Sequence, residues 1–352
     1  MTHTGSAHRD ILIVTQSFDP HADEVLVQLR YMGEEPLRVN TEAIPAEAWL
    51  SYSFARGKAA PASLSQERES RLAPYTLFID GRAIEAQQIG AVLWRRPAPY
   101  QFVGTLSPDE RTLALSETEQ AVQAFWLALD AHHTYWMSAP TAITASRNLP
   151  EQLLRARRFG FATPRALLTT RANQVRSFYE ETGGQVVYRM LSSLSLLAQS
   201  GRSTSLVPSA LVGSQELASF ESMVSVPCLF YERLPARRFC ILVLMGEQVF
   251  AAHTSRPPSL EEVPHWWSPQ VTRLSYEPVT LPSQLCQRSL AFVQSYGLEF
   301  AVLVLAEGED DELYFASLDP VGSFLWLEQQ CPDLRMLQAL AQHLIKGAHA
   351  ES

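Results

Sequence analysis

Hydrophobic patterning begins with an unbroken apolar run, Ile11 to Val14, which suits a strand buried on both faces of a parallel sheet. Asp19-Pro20 follows, and a helix is expected there, because Asp can cap and proline is tolerated in a first turn. Val25, Leu26 and Leu29 recur at helical spacing, and Gly33 fits the stop. "EPLRVNTE" reads as a second strand, so the chain starts β-α-β and predicts a small α/β domain on a parallel sheet. Residues 51–74 are polar and rich in small side chains, which predicts a loop or irregular hairpin. A hairpin is expected around Asp80-Gly81, then a buried strand over "IGAVLWRRP" and a long amphipathic helix from near Ser107.

The middle of the chain predicts a short turn, a helix from Pro150 to Phe159 capped by Gly160, and a strand to Thr170. A helix over "RANQVRSFYEET", a Gly183-Gly184 turn and the strand "QVVYRML" come next, followed by "SSLSLLAQSGRSTSL", read as a hairpin loop. "CLFYERL" and "RRFCILVLMGEQVFAAHTS" read as strands of a second, antiparallel sheet. A helix over "LPSQLCQRSLAFVQSYGL" precedes two strands that flank an acidic turn at Asp310-Asp311, and "DLRMLQALAQHLIKG" is a closing helix. The expected class is mixed α+β and α/β, with domains at 1–135, 136–226 and 227–352 and no internal repeat.

Composition narrows the chemistry. The chain has 352 residues, 46% hydrophobic and 18% charged, enough for large cores in two or three packed units. A net charge of −9 argues against a basic stripe tracking a phosphate backbone, so nucleic acid is not an expected partner. Of 28 basic residues only Lys58 and Lys346 are lysines, leaving 28 − 2 = 26 arginines. Cys228, Cys240, Cys286 and Cys331 form no C-x-x-C pair and read as thiols of a reducing cytosol. The polar start "MTHTGSAHRD" has no signal-type apolar region, and no apolar run approaches the ~20 residues that span a bilayer. A cytoplasmic chain without a membrane partner is expected. His132, His133, His253, His265 and His343 lack zinc spacing, Ser200-Gly201-Arg202-Ser203 lacks a G-K-[ST] ending, and no G-x-S-x-G elbow occurs.

Six stretches, in this order, carry a resemblance: "ILIVTQSFDPHADEVLVQL", "VLWRRP", "ARRFGFATPRALLTT", "FYERL", "GEQVFAAHTS" and "LDPVGSFLWLE". Together they resemble the ATP-grasp superfamily, and more narrowly the ATP-grasp maturases of ribosomal peptides, the microviridin or graspetide type. The resemblance implies a small pre-ATP-grasp α/β domain followed by two lobes that clamp a nucleotide. It also implies ester or amide cross-linking of a precursor peptide through phosphorylated side-chain carboxylates.

That chemistry needs cations around a triphosphate, a divalent metal bridging its oxygens, and carboxylate or amide oxygens holding the metal. The resemblance places a first lysine after Asn148, where this chain has Leu149, and a second at the end of "VVYR", where it has Arg189. Arginine keeps the charge and can fork onto phosphate, but it is bulkier. Glu232 stands where a hinge glutamate accepts a ribose. The metal-binding Asp, Glu and Asn positions fall on Val304, Ser317 and Asp319, so Asp319 alone stays potentially anionic, an incomplete magnesium site. The resemblance places an acceptor-side arginine on Ile241, with Arg237 and Arg238 nearby, and an Asp-Trp-Arg stretch on His265, Trp266 and Trp267, which suits packing or peptide contact better than carboxylate binding. Glu307, Glu309, Asp310, Asp311 and Glu312 read as a solvated turn.

Two functions follow. The first is a pseudo-ATP-grasp protein, without catalytic residues, that binds a precursor or leader peptide or a second, partner ATP-grasp ligase, in a homo- or hetero-oligomer. The second is an active ligase using Arg189, Glu232 and Asp319 with ATP and Mg2+. A scaffold subunit without a small ligand is the remaining option.

Overall fold

A computed structural model describes residues 9–52, 75–191, 209–219, 226–259 and 269–350. The chain divides into two compact units, residues 1–139 with 337–352, and residues 140–336. Among the described residues, no helix is long and apolar enough to cross a membrane.

The first unit is built on the expected β-α-β start. Strand β1 (Asp10–Thr15) leads to helix α1 (Pro20–Tyr31) and strand β2 (Leu37–Asn40). Asp19 caps α1, accepting from the backbone N–H groups of His21 and Ala22. Strands β3 (Trp49–Ser51), β4 (Thr76–Ile79) and β5 (Arg82–Glu85) form a small antiparallel sheet. Asp80 and Gly81 both take positive φ, 49° and 75°, as a two-residue hairpin demands. Strand β6 (Ile89–Trp94), helix α2 (Pro108–Ala131) and strand β7 (Tyr135–Trp136) complete the layer. Strands run in the order β2-β1-β6-β7, all parallel. Leu12, Val14, Val39 and Val92 pack with Val122, Phe125 and Leu129 of α2. Ser107 and Glu110 close a reciprocal capping box at the start of α2.

In the second unit, the region expected as a turn contains a helix, α3 (Pro140–Ser146), before helix α4 (Leu149–Arg158). Strand β8 (Ala166–Thr169), helix α5 (Ala172–Glu181), strand β9 (Val186–Arg189), strand β10 (Ser209–Leu211), helix α6 (Ser214–Ser219) and strand β11 (Cys228–Glu232) follow. These four strands form one antiparallel sheet ordered β10-β9-β11-β8. "CLFYERL" therefore belongs to this sheet and not to the second one, as its sequence had suggested. Alternation marks a strand without naming its partners; Phe230 pairs here because it packs with Val175 and Phe178 of α5 and with Val186.

The second sheet is ordered β14-β13-β12-β15-β16. Its strands are β12 (Arg238–Met245), β13 (Gln248–Thr254), β14 (Tyr276–Pro278), β15 (Phe300–Glu307) and β16 (Leu313–Asp319), all antiparallel to their neighbours. Helix α7 (Ser283–Gln294) packs Phe292 against Phe315 and Phe161. Helix α8 (Leu325–Gln330) leaves the Asp-Pro-x-Gly turn. The closing helix α9 (Met336–Ala348), expected in a C-terminal lobe, packs from residue 337 onward with the first unit instead. Close approach explains this: a Cβ on Gly90 of β6 would meet the Ala348 carbonyl oxygen at 2.6 Å.

Candidate functional site

Register brings four of the expected metal and acceptor positions together. Ile241 of β12 pairs with Val304 of β15, and Val304 pairs with Ser317 of β16. Residues directly opposite across a sheet share a face, so the three side chains form one row. Asp319 stands two residues beyond Ser317 on the same face, paired with Val302. A β-bulge between Val304 and Leu305 sets this alignment. The row is thus isoleucine, valine and serine, with one exposed carboxylate at its end.

Asp319 is engaged locally. Its Oδ1 accepts from the Val321 N–H at 3.0 Å, and its carbonyl accepts from Gly322 N at 3.3 Å. Gly322 lies against Val302, where a Cβ would sit 2.6 Å from Cγ2, so only glycine fits the turn. Among the described residues, no three His, Cys, Asp or Glu side chains stand together as a metal-binding group. A serine hydroxyl, an aliphatic pair and one turn-bound carboxylate do not fit magnesium, which is held by carboxylates together with phosphates.

The cation positions are also altered in place. Leu149 is the first residue of α4 and is buried, while Asn148 caps the helix by accepting from Glu151 N at 3.1 Å. Arg189 ends β9, half-buried, opposite Ser209 on one side and Leu229 on the other. Burial lowers its pKa, with the nearby Tyr231 phenol opposing.

Glu232 pairs with Val186, and Arg189 with Leu229, across the same two strands. The odd offset puts Glu232 and Arg189 on opposite faces of the sheet. Glu232 shares its face with Val186 and Phe230, on the side packed by α5. There Arg165 forks onto its carboxylate, Nε to Oε2 at 2.9 Å and Nη2 to Oε1 at 3.0 Å, and also donates to the Glu181 carbonyl at the end of α5. The Arg165 hydrogen bonds, against a smaller opposing effect of burial, hold Glu232 below the usual carboxylate range.

Arg237 and Arg238 stay at the far end of the β12 register. Arg238 pairs with Glu307, and Arg237 ion-pairs with Asp311 of the acidic turn, with Glu307 3.9 Å away. They lie three and four residues from Ile241, about 10–14 Å along a strand, so neither reaches the row. The turn itself is a local structure: Tyr314 Oη donates to Asp310 Oδ2 at 2.8 Å, and Asp311 takes φ 61°. His265, Trp266 and Trp267, like the 51–74 loop from residue 53 and the Ser200–Ser203 stretch, lie outside the described residues.

Sequence reasoning missed Gln152. Its buried side-chain amide donates to the Ser146 carbonyl at 2.6 Å and to the Leu318 carbonyl at 3.0 Å, and accepts from Leu318 N at 3.2 Å. It clamps β16 between Ser317 and Asp319. The available signal was a glutamine on the apolar stripe of α4, beside Leu149, Leu153 and Ala156.

No protein-family model and no curated protein matches the sequence. Solved structures do. The macrocyclase MdnC bound with precursor peptide MdnA from Microcystis aeruginosa MRC superposes with a TM-score of 0.77 at 21% identity, over 95% of this chain and 99% of that one. A Chryseobacterium gregarium RiPP-associated ATP-grasp ligase, in complex with ADP and a leader and core peptide, gives 0.77 at 20% identity over 96% of each chain. The ATP-grasp ligase PsnB complexed with precursor peptide PsnA2 and AMPPNP gives 0.70 at 20% identity over 99% of each. This chain therefore has the ATP-grasp fold that these ligases share.

Proposed function

We propose that this chain works in the maturation of a ribosomally synthesised peptide by binding a precursor or its leader segment, or a partner ligase, without running ATP and magnesium chemistry itself. One observation carries the reading. The in-register row Ile241, Val304 and Ser317 has neither the arginine nor the aspartate and glutamate that the resemblance calls for at these positions. Leu149 in place of a lysine points the same way, because a buried leucine cannot neutralise phosphate. Peptide docking uses grooves and backbone, so it can outlast the loss of a metal site. Four free cysteines, three of them buried, suit the reducing cytosol we assign to it.

Calorimetry of the full chain tests this. A precursor peptide encoded beside the gene is expected to bind with the same affinity with and without AMPPNP and magnesium, and ATP is expected to show no magnesium-dependent binding. Magnesium-dependent stabilisation by AMPPNP, following RT ln(1 + [L]/Kd), or turnover of ATP with the peptide, would overturn the reading. That result would restore an active ligase using Arg189, Glu232 and Asp319.

A further inference from the structure

We propose that the carboxyl-terminal edge of the first unit's parallel sheet, beside α2, docks a cationic peptide segment whose basic side chains rest on tryptophan rings and pair with Glu119 and Asp130. Identifying that peptide as the precursor rests on the reading above. Trp94 and Trp136 are the last residues of the neighbouring parallel strands β6 and β7. Trp136 pairs with Val92, two residues before Trp94, so both indoles project to the sheet face that α2 covers. Trp126 of α2 meets them edge-on, its ring centroid 5.4 Å from that of Trp94 and 6.3 Å from that of Trp136. All three are half-buried, so a tight indole cluster reaches the surface at the strand ends. That is the end of an open α/β sheet at which ligands bind.

Two acids bracket the cluster. Glu119, Trp126 and Asp130 stand at i, i+7 and i+11, within about 40° of one another around α2. Asp130 Oδ1 accepts from Trp136 Nε1 at 2.7 Å. Glu119 lies near the half-buried Tyr100, where burial first and then the Glu119 charge push the phenol up to about 12. Both acids are exposed, and among the described residues neither forms an ion pair. Helix α2 carries five acids and a single base, Arg111, which lies about 12 Å back along the helix from Glu119.

Charge and ring chemistry select the occupant. Indole faces attract guanidinium and ammonium groups more strongly than other aromatic side chains do. The two carboxylates supply a countercharge that the helix does not match. An acidic or phosphorylated segment would be repelled by them, and a purely apolar one would bury them without partners. Eleven residues of helix separate the two acids by about 16 Å, which an extended peptide covers in about five residues. The surface thus fits two basic side chains about five positions apart.

Calorimetric titration of the full chain with two hexapeptides tests the assignment. One has arginine at both ends and four serines between; the other has citrulline, the uncharged isostere, in place of each arginine. The arginine peptide is expected to bind at least about ten-fold tighter and to quench tryptophan fluorescence. The double substitution Glu119→Gln and Asp130→Asn should cut that preference by about five-fold or more. Its thermal midpoint should stay within a few degrees, because both side chains are exposed and asparagine still accepts from Trp136. Trp126→Leu should weaken the arginine peptide by about three-fold or more. Equal binding of the two hexapeptides, no saturable binding of either, or an unchanged preference in the double variant would overturn the proposal. So would tighter binding of a hexapeptide with glutamate at both ends. If the precursor peptide does not bind while the arginine peptide keeps its preference, the maturation reading falls and this surface stands. If the precursor binds and the two hexapeptides bind alike, the surface falls and that reading stands.

Discussion

His21 shows how a single side chain records its surroundings. It is buried beside Asp19 at the head of α1, where Thr15 Oγ1 donates to Asp19 Oδ2 at 2.7 Å and Arg95 Nε lies 3.2 Å from that oxygen. Burial first, then Arg95, against a smaller pull from Asp19 and with the least help from Arg96, bring the imidazole down to about 3. The unfolded chain would protonate it near 6.5. Below that pH the unfolded state takes up a proton that the folded state refuses, so stability falls from about pH 6.5 down toward pH 3. Asp19 adds a loss at lower pH. Burial raises it, but Arg95, Thr15 and the Ala22 N–H outweigh burial and hold it down, so its contribution disappears as acid finally protonates it. Thermal melts between pH 7 and 4 should therefore be flatter for His21→Gln than for wild type, and an equal slope would contradict the account. Asp19 as a cap was legible in the sequence from Asp-Pro. Its ion pair with Arg95 was not, because 76 residues separate them and only the parallel pairing of β1 with β6 joins their ends.

Elements were legible where their pattern is local. The strands over "ILIV", "VVYR" and "FAVLVL", the Asp80-Gly81 hairpin and the Ser107 cap all follow from period, turn chemistry or capping. Partnership between strands was less legible, as the placement of β11 shows, because it is decided by packing under α5. The row Ile241, Val304 and Ser317 lies between these cases: its residues were named from motif spacing, but their shared face depends on a bulge the sequence does not announce. Gln152 holds β16 in that register. Gln152→Leu is nearly isosteric, yet it would strand the buried N–H and C=O of Leu318, at a cost of about 1–3 kcal/mol each. The expected outcome is a lowered urea midpoint at constant m-value. Amide exchange at Leu318 should quicken more than exchange at Leu303 on the adjacent strand, which a general loss of stability would not produce. Asn148→Ala, by contrast, should cost only about 1 kcal/mol through its cap.

For the whole molecule, the informative residues are glycines. Gly347 lies in α9, where a glycine costs about 1 kcal/mol relative to alanine in an exposed helix interior. Here alanine is not the better choice, because a Cβ would sit 2.1 Å from Cδ1 of Tyr135 on β7. Gly347→Ala should therefore destabilise the first unit by about 1–3 kcal/mol, and limited proteolysis should reach the residue 337–350 segment before the second unit. Protection equal to wild type would mean that α9 tolerates a shift. The amphipathic pattern of "MLQALAQHLIKG" predicted the helix correctly and could not say which unit receives it, since an apolar stripe is complementary to any core.

The return of α9 to the first unit has a consequence in time. Residues 140–336, roughly 200 of them, separate the two stretches that make up that unit. At about 5–20 residues per second, a ribosome needs about 10–40 s to cross that interval. Throughout it, the parallel sheet of the first unit is without the helix whose carbonyl rests on Gly90. The second unit, by contrast, is contiguous and can close as soon as β16 and α8 emerge. The part of the chain begun first is thus completed last.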